Sequence, residues 1–194
     1  MRHFRVTARN RLACILLAGM LASPVVHADP AMPPDTVLSI TSPAFPANGP
    51  MPSRYTCEGE GLSPPLQWSR LPSGTRSLAL IVEDPDAPDP AAPRMTWVHW
   101  VIYNLPVNVS GLEQAAQSLP PGARSGHNSW DRDAYGGPCP PIGRHRYFHR
   151  LYALDTMLPD LDHPTAAQLR QAMQGHVLAQ AELIGTYQKE KSTR

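Results

Sequence analysis

No nucleophile or phosphate-handling signature occurs in this 194-residue chain: Gly-x-Ser-x-Gly, His-Glu-x-x-His and the Walker-type loop are all missing. Their absence removes the usual sequence grounds for a hydrolase, a zinc protease or a nucleotidase. Charge is sparse, with Asp, Glu, Lys and Arg at 17%, and it forms neither a block nor a basic stripe. Nucleic acid is therefore excluded as a partner class. Internal repeats and low-complexity tracts are absent, which excludes solenoids and tail-like segments. Past residue 28 no apolar run approaches the roughly 20 residues that cross a bilayer as a helix.

The first 28 residues have their own grammar. Arg2, Arg5, Arg9 and Arg11 form a basic stretch, Leu12 to Ala22 an apolar one, and Val26-His27-Ala28 a small-x-small cleavage site. This pattern is that of a secretory signal peptide, so the mature chain is expected to begin at Asp29 and to be periplasmic or secreted. The remaining 166 residues, 29–194, suffice for one domain with a real core. The leader carries four of the 17 basic residues and none of the 16 acids, so the mature chain is net −3. Two of the three cysteines remain, Cys57 and Cys139. In an oxidising compartment they form a disulfide or stand as two separate thiols, and their positions leave both open. A homodimer is the base-rate expectation for a soluble chain.

Proline is what the sequence has in excess: 23 residues, spread as punctuation between short apolar runs. Thr36 to Ile40, Gln67-Trp68, Ser77 to Glu83, Thr96 to Asn104 and Arg146 to Asp155 read as strands. No helical crossover of adequate length separates them, so the pattern predicts a mostly β fold, an antiparallel sandwich. The one strong helix signal starts at Thr165 behind Pro164 and stops at Gly175, with Leu169 and Met173 as the edge that packs on the sheet. Val177 to Tyr187, ending in Gly185-Thr186-Tyr187, reads as a strand.

Two proline-rich stretches, each tied to a histidine, carry the chemistry. Asp84-Pro85-Asp86-Ala87-Pro88 leaves the apolar strand Ser77 to Glu83, and Trp97-Val98-His99-Trp100 follows. Proline stiffens that turn and holds its carboxylates at the end of an apolar wall. Strict alternation puts Trp97, His99, Val101 and Tyr103 on one face and Val98, Trp100 and Ile102 on the other. The second stretch is Gly136-Gly137-Pro138-Cys139-Pro140-Pro141-Ile142-Gly143-Arg144-His145-Arg146-Tyr147, with His145 and Tyr147 on a shared face. A metal site built on His99, His145 and an aspartate is an alternative. His145 and His149 cannot share an ion, being about 13 Å apart along a straight strand. Cys139 with His145 as a thiol–imidazole pair is disfavoured by the prolines that follow and precede the cysteine. Imidazoles, a tyrosine hydroxyl and carboxylates on rigid turns suit a small anion or zwitterion, and the reading is a non-enzymatic ligand site without cofactor or metal. If the imidazoles hold the anion as imidazolium, affinity falls as pH rises through the histidine range, near 6.5.

These stretches, together with Tyr55-Thr56-Cys57-Glu58-Gly59, Ser63-Pro64-Pro65, Leu151-Tyr152-Ala153-Leu154 and Glu182-Leu183-Ile184-Gly185-Thr186-Tyr187, resemble the phosphatidylethanolamine-binding protein family, in its bacterial Raf-kinase-inhibitor-like branch. The likeness runs over essentially the whole mature chain. It implies a mostly β fold, an antiparallel sandwich with a few short peripheral helices and an anion pocket at one end, formed by Asp84, Pro88, His99, His145 and Tyr147, with Asp86 and Cys139 as neighbours. Its implied ligand is phosphate or a phosphoethanolamine-like headgroup. The alternative is a protein-interaction module or inhibitor, of a protease or another partner, whose pocket is a structural relic. The chain stops soon after Tyr187, where animal and plant members add a helical segment, so its pocket mouth is expected to be more open.

Overall fold

In the computed structural model, residues 37–116 and 118–190 are described; the segment 1–28, expected to be a signal peptide, and the first residue of the expected Thr36 to Ile40 strand lie outside them. Nine strands and one α-helix follow in chain order among the described residues: β1 Ser39–Thr41, β2 Gly49–Pro50, β3 Leu66–Ser69, β4 Ser77–Asp84, β5 Trp97–Leu105, β6 Gly111–Leu112, β7 Arg124–Gly126, β8 His145–Leu154, α1 Ala166–Ala172 and β9 Val177–Tyr187. A single turn of 3-10 helix, Ser53–Tyr55, precedes β3. The expected strands are therefore present: the first starts at Ser39 rather than Thr36, the others are displaced by about a residue at their ends, and Val177 to Tyr187 is indeed a strand.

They build two sheets. The smaller has the order β1-β3-β6, and the larger β2-β9-β8-β4-β5-β7. Every pairing is antiparallel except the two-residue contact of β2 with β9. Both edges of the large sheet are short, two residues in β2 and three in β7, which leaves little unpaired backbone to recruit another chain. The sequence expectation of a mostly β, sandwich-like fold is met. No helix of the described residues is long and apolar enough to cross a membrane.

Strand β4 is central and buried at every position, which explains its unbroken apolar run. Its alternate residues serve two cores. Leu78, Leu80 and Val82 join Trp100, Ile102, Tyr147, Leu151, Trp68 and Phe45 on the inner face. Ala79 and Ile81 join Val101, Tyr103, Tyr152, Leu154 and the helix residues Ala166, Leu169 and Met173 on the outer face. Each fully buried Leu or Ile contributes roughly 2 kcal/mol through the apolar area it removes from water. Leu169 and Met173 thus make the sheet contact their spacing predicts. The helix begins with a capping box: Gln168 N–H donates to Thr165 Oγ1 and Thr165 N–H to Gln168 Oε1. Such a cap is worth about 1 kcal/mol. Gly175, at φ +80°, turns the chain out of the helix and into β9.

One buried residue on the inner face of β8 resists acid. His149 is fully buried, and its ring stands 5.6 Å from that of Phe45. Burial pushes its imidazole down to about 4, against the opposing effect of backbone contacts from Tyr147 and Leu183. The unfolded chain protonates this side chain near 6.5, so between there and pH 4 the unfolded state binds more protons and stability rises with pH. Going from pH 7 to pH 5 should cost on the order of 2 kcal/mol at this site alone. Urea unfolding at the two pH values checks this, because His149→Leu should lose that share of the pH dependence.

Candidate functional site

The inner-face rows of three adjacent strands run out of apolar residues at the same end of the large sheet. β4 ends in Asp84, β8 begins with His145, and β5 begins with Trp97, whose register partner is Asp84. Strict alternation fails in β5. Val82 pairs with Trp100 and Glu83 with Val98, so His99 is the extra residue of a β-bulge. The bulge therefore overturns the alternation that grouped His99 with Val101 and Tyr103. Val101 and Tyr103 belong to the outer core, whereas His99 packs against the inner-face residue Tyr147, ring centroids 5.2 Å apart. Bulges commonly re-aim a side chain beside a site in this way.

A cavity of about 420 Å³ opens there, lined by Asp84, Ala87, Pro88, Met95, Trp97, His99, Trp130, Cys139, Pro140, Pro141 and His145. Five of the seven residues expected from sequence line it: Asp84, Pro88, His99, Cys139 and His145. Tyr147 does not line it but packs directly behind, its ring between those of His99 and His145. Asp86 does not line it either. Its two carboxylate oxygens accept from the Arg146 guanidinium at 2.7 and 2.9 Å, and one also accepts from Arg146 N–H at 2.9 Å. That guanidinium holds the Asp86 carboxyl below its usual range. Asp86 pins the first proline turn to the start of β8.

Asp84 organises the floor. Oδ1 accepts from Asp86 N–H at 2.8 Å, and Oδ2 lies 2.7 Å from His145 Nδ1. Burial raises the Asp84 carboxyl above its usual range, opposed by those two hydrogen bonds. His145 Nε2–H donates to the Ile142 carbonyl at 2.9 Å. Both nitrogens of His145 are thus spent inside the protein. His99 differs. Its Nδ1 is 2.6 Å from the Gly136 carbonyl, which only accepts, so the proton is on Nδ1 and a lone pair on Nε2. Burial holds this imidazole neutral, pushed down to about 4, with the Gly136 carbonyl working the other way. Nε2 has no hydrogen-bond partner, nor have Trp97 Nε1 and the Tyr147 hydroxyl, and all three atoms are buried. The Tyr147 hydroxyl is raised above the ordinary phenol range by burial.

Ala87, Met95, Trp97, Trp130, Pro140 and Pro141 are the lining residues that were not among the expected site residues. Trp130 stands nearly perpendicular to Trp97 and to His99, each 5.3 Å away. Its loop is shaped by buried Asn128, whose Oδ1 accepts from the backbone of Trp130 and Arg132 and whose Nδ2 donates to Ala134. Gly136 lets the indole lie where it does, since a Cβ there would come within 2.2 Å of the ring. The available signal was a lone tryptophan in a polar loop.

The two cysteines are joined. Cys57 and Cys139 form a disulfide with Cα atoms 5.4 Å apart, and Cys57 N–H donates to Pro138 O at 3.0 Å. The bond fastens the cavity's proline wall to the loop before β3. Metal-ligating geometry is another matter: among the described residues no three His, Cys, Asp or Glu side chains are grouped to hold an ion.

Comparison with known proteins places this geometry. The sequence model described as phosphatidylethanolamine-binding protein matches residues 41–188. A UPF0098 protein of Methanothermobacter thermautotrophicus is 49% identical over 78% of this chain and 99% of its own length. One from Chlamydia pneumoniae is 45% identical over the same shares. Among solved structures, a phosphatidylethanolamine-binding protein homologue from Chlamydia trachomatis superposes with a TM-score of 0.74 at 44% identity, covering 80% of this chain and 99% of the other. YbcL of E. coli, described as a member of the mammalian PEBP family, superposes at 0.71 with 31% identity, over 79% and 99%.

The disulfide closes a span of 82 residues. Cys57→Ser with Cys139→Ser should therefore lower unfolding free energy by about 4 kcal/mol on the loop-entropy scale. A urea titration of the oxidised protein beside the double variant measures it.

Proposed function

Because the chain belongs to the phosphatidylethanolamine-binding protein family, we propose that its cavity binds phosphate or a phosphoethanolamine-like headgroup, and that the protein is a non-enzymatic binding module exported to the periplasm or beyond. The observation that carries the reading is the lining: buried Asp84, His145 and His99 in a cavity with apolar walls, with unpartnered buried nitrogens on the lining residues His99 and Trp97. A buried polar atom without a partner costs about 1–3 kcal/mol, and a ligand oxygen that supplies the partner recovers it. The walls of proline and tryptophan are rigid, so little ordering is needed on binding. Export rests on the arginine-flanked apolar leader and its Val26-His27-Ala28 site. The oxidised Cys57–Cys139 pair agrees with an oxidising compartment.

A second reading draws on the mouth. Met95, Trp130 and Ile142 are among the exposed large apolar side chains, and all belong to the loops around the opening. Such a rim suits a protein partner, with the cavity receiving one of its side chains.

Isothermal titration with phosphoethanolamine and inorganic phosphate decides between them. The first reading expects saturation near one site per chain. It also expects at least a tenfold loss in Met95→Glu, which sets a carboxylate at the mouth on a residue exposed enough to leave folding unchanged. No heat from either ligand at millimolar concentration would remove the ligand reading and leave the partner reading.

A further inference from the structure

A second concavity, of about 600 Å³, lies on the outer face of the small sheet and shares no lining residue with the cavity at the ends of β4, β5 and β8. Ile40, Leu66 and Trp68 point into the core, so alternation turns Thr41, Gln67 and Ser69 outward. Gly111 of β6 is the register partner of Gln67. A Cβ at Gly111 would come within 2.4 Å of the Leu66 carbonyl oxygen, so no side chain stands there and the face is hollow at that point. The walls are stiff. Ser42 Oγ donates to the Pro65 carbonyl at 2.7 Å and accepts from Ala44 N–H at 3.1 Å. Trp68 holds the loop before β6, its N–H donating to the Ser110 carbonyl at 2.8 Å and its indole N–H to the Val109 carbonyl at 2.7 Å.

This trough offers hydrogen bonds with little charge. The side chains of Thr41, Gln67, Asn108, Ser110 and Glu113 are exposed and make no hydrogen bond among the described residues. Ser39 and Ser69 share a single hydroxyl–hydroxyl bond of 2.9 Å. Hydroxyls and carboxamides donate and accept alike. Among the described residues no Lys, Arg or His lines the trough, and Glu113 is the one carboxylate. An anionic ligand would find no cation there and would face Glu113. A peptide backbone, also uncharged, is recognised along a strand edge, whereas the trough is a sheet face. The remaining complement is an uncharged ligand dense in hydroxyls, which is the chemistry of a saccharide. Exposed Val37 and Val107, close in the chain to the lining residues Ser39 and Asn108, add apolar surface for the C–H side of a sugar ring. We propose that the trough over β1, β3 and β6 binds neutral saccharides and that Glu113 discriminates against acidic ones. The inference is independent of the phosphate reading given above.

The test is an NMR titration of the isotope-labelled protein with the neutral sugars maltotriose and tri-N-acetylchitotriose and with the acidic trigalacturonate. At least one neutral sugar is expected to shift the Gly111 N–H and the Gln67 and Asn108 carboxamide signals saturably at millimolar concentration, leaving the Trp97 indole signal of the other cavity unmoved. Trigalacturonate should bind roughly tenfold more weakly, through repulsion by Glu113. Glu113→Gln should bring it within about threefold of the neutral sugar, since the like charge is gone. Gln67→Ala, on an exposed side chain, should weaken the neutral sugar about fivefold through the lost hydrogen bond. The inference is overturned if neither neutral sugar shifts the trough signals saturably, or if trigalacturonate binds the wild type as tightly as they do. Discrimination unchanged in Glu113→Gln overturns the role given to that residue. Shifts confined to Trp97 and its surroundings put the sugar in the other cavity and overturn the inference as well.

Discussion

A carboxylate buried at the end of a sheet has to be satisfied, and the way Asp84 is satisfied governs the rest of this site. It is the last residue of the central strand, its side chain only 5% exposed. Its two oxygens draw in Asp86 N–H from the proline turn and His145 from the start of β8. Removing one partner from such a buried pair costs about 3–5 kcal/mol, because the other is left unpaired away from water. Asp84 therefore ties β4, the turn that follows it and the entry to β8 into one unit. Asp86 repeats the tie one step outward through Arg146. The cavity wall is then completed from across the molecule by Cys57, through its bond to Cys139.

The opposite face of the same sheet solves a similar problem with full charge pairing. Glu83, one residue before Asp84, is 3% exposed and accepts from both Arg150 of β8 and Arg170 of α1. Arg150 also reaches Glu182 of β9, and Phe148 lies under the guanidinium groups of Arg146 and Arg150. Two guanidinium groups and two carboxylates leave that cluster nothing to offer a ligand. The inner face has a carboxylate, a spent imidazole and a neutral one instead. Neighbouring residues of one strand thus serve architecture on one side and a binding floor on the other, as the period of two requires.

Much of this was legible along the chain. Proline punctuation, the apolar run Ser77 to Glu83 and the aromatic runs either side of it imposed short strands and a sandwich. Asp84, Pro88, His99, Cys139 and His145 stood out because the two proline-rich motifs that hold them resemble those of a known family, and their stiff turns lie next to buried strands. Asp86 stood out for the same reason yet is spent on Arg146, since nothing in a one-dimensional pattern tells which of two nearby carboxylates meets a guanidinium. Trp130 did not stand out, because its place over the cavity depends on the Asn128 loop and on a glycine 6 positions later.

Composition, periodicity and turn chemistry are local properties, so the sequence by itself determined the strands, the capped helix and the two rigid turns that carry the site. The tertiary structure alone decided which face His99 takes, that Cys57 meets Cys139, and that His99 and Trp97, each with an unpartnered buried nitrogen, line one cavity. Each of these follows from pairing between distant segments. A single bulge opposite β4 turns His99 around, and no spacing within the Trp97–Leu105 run records where its partner strand slips by one residue.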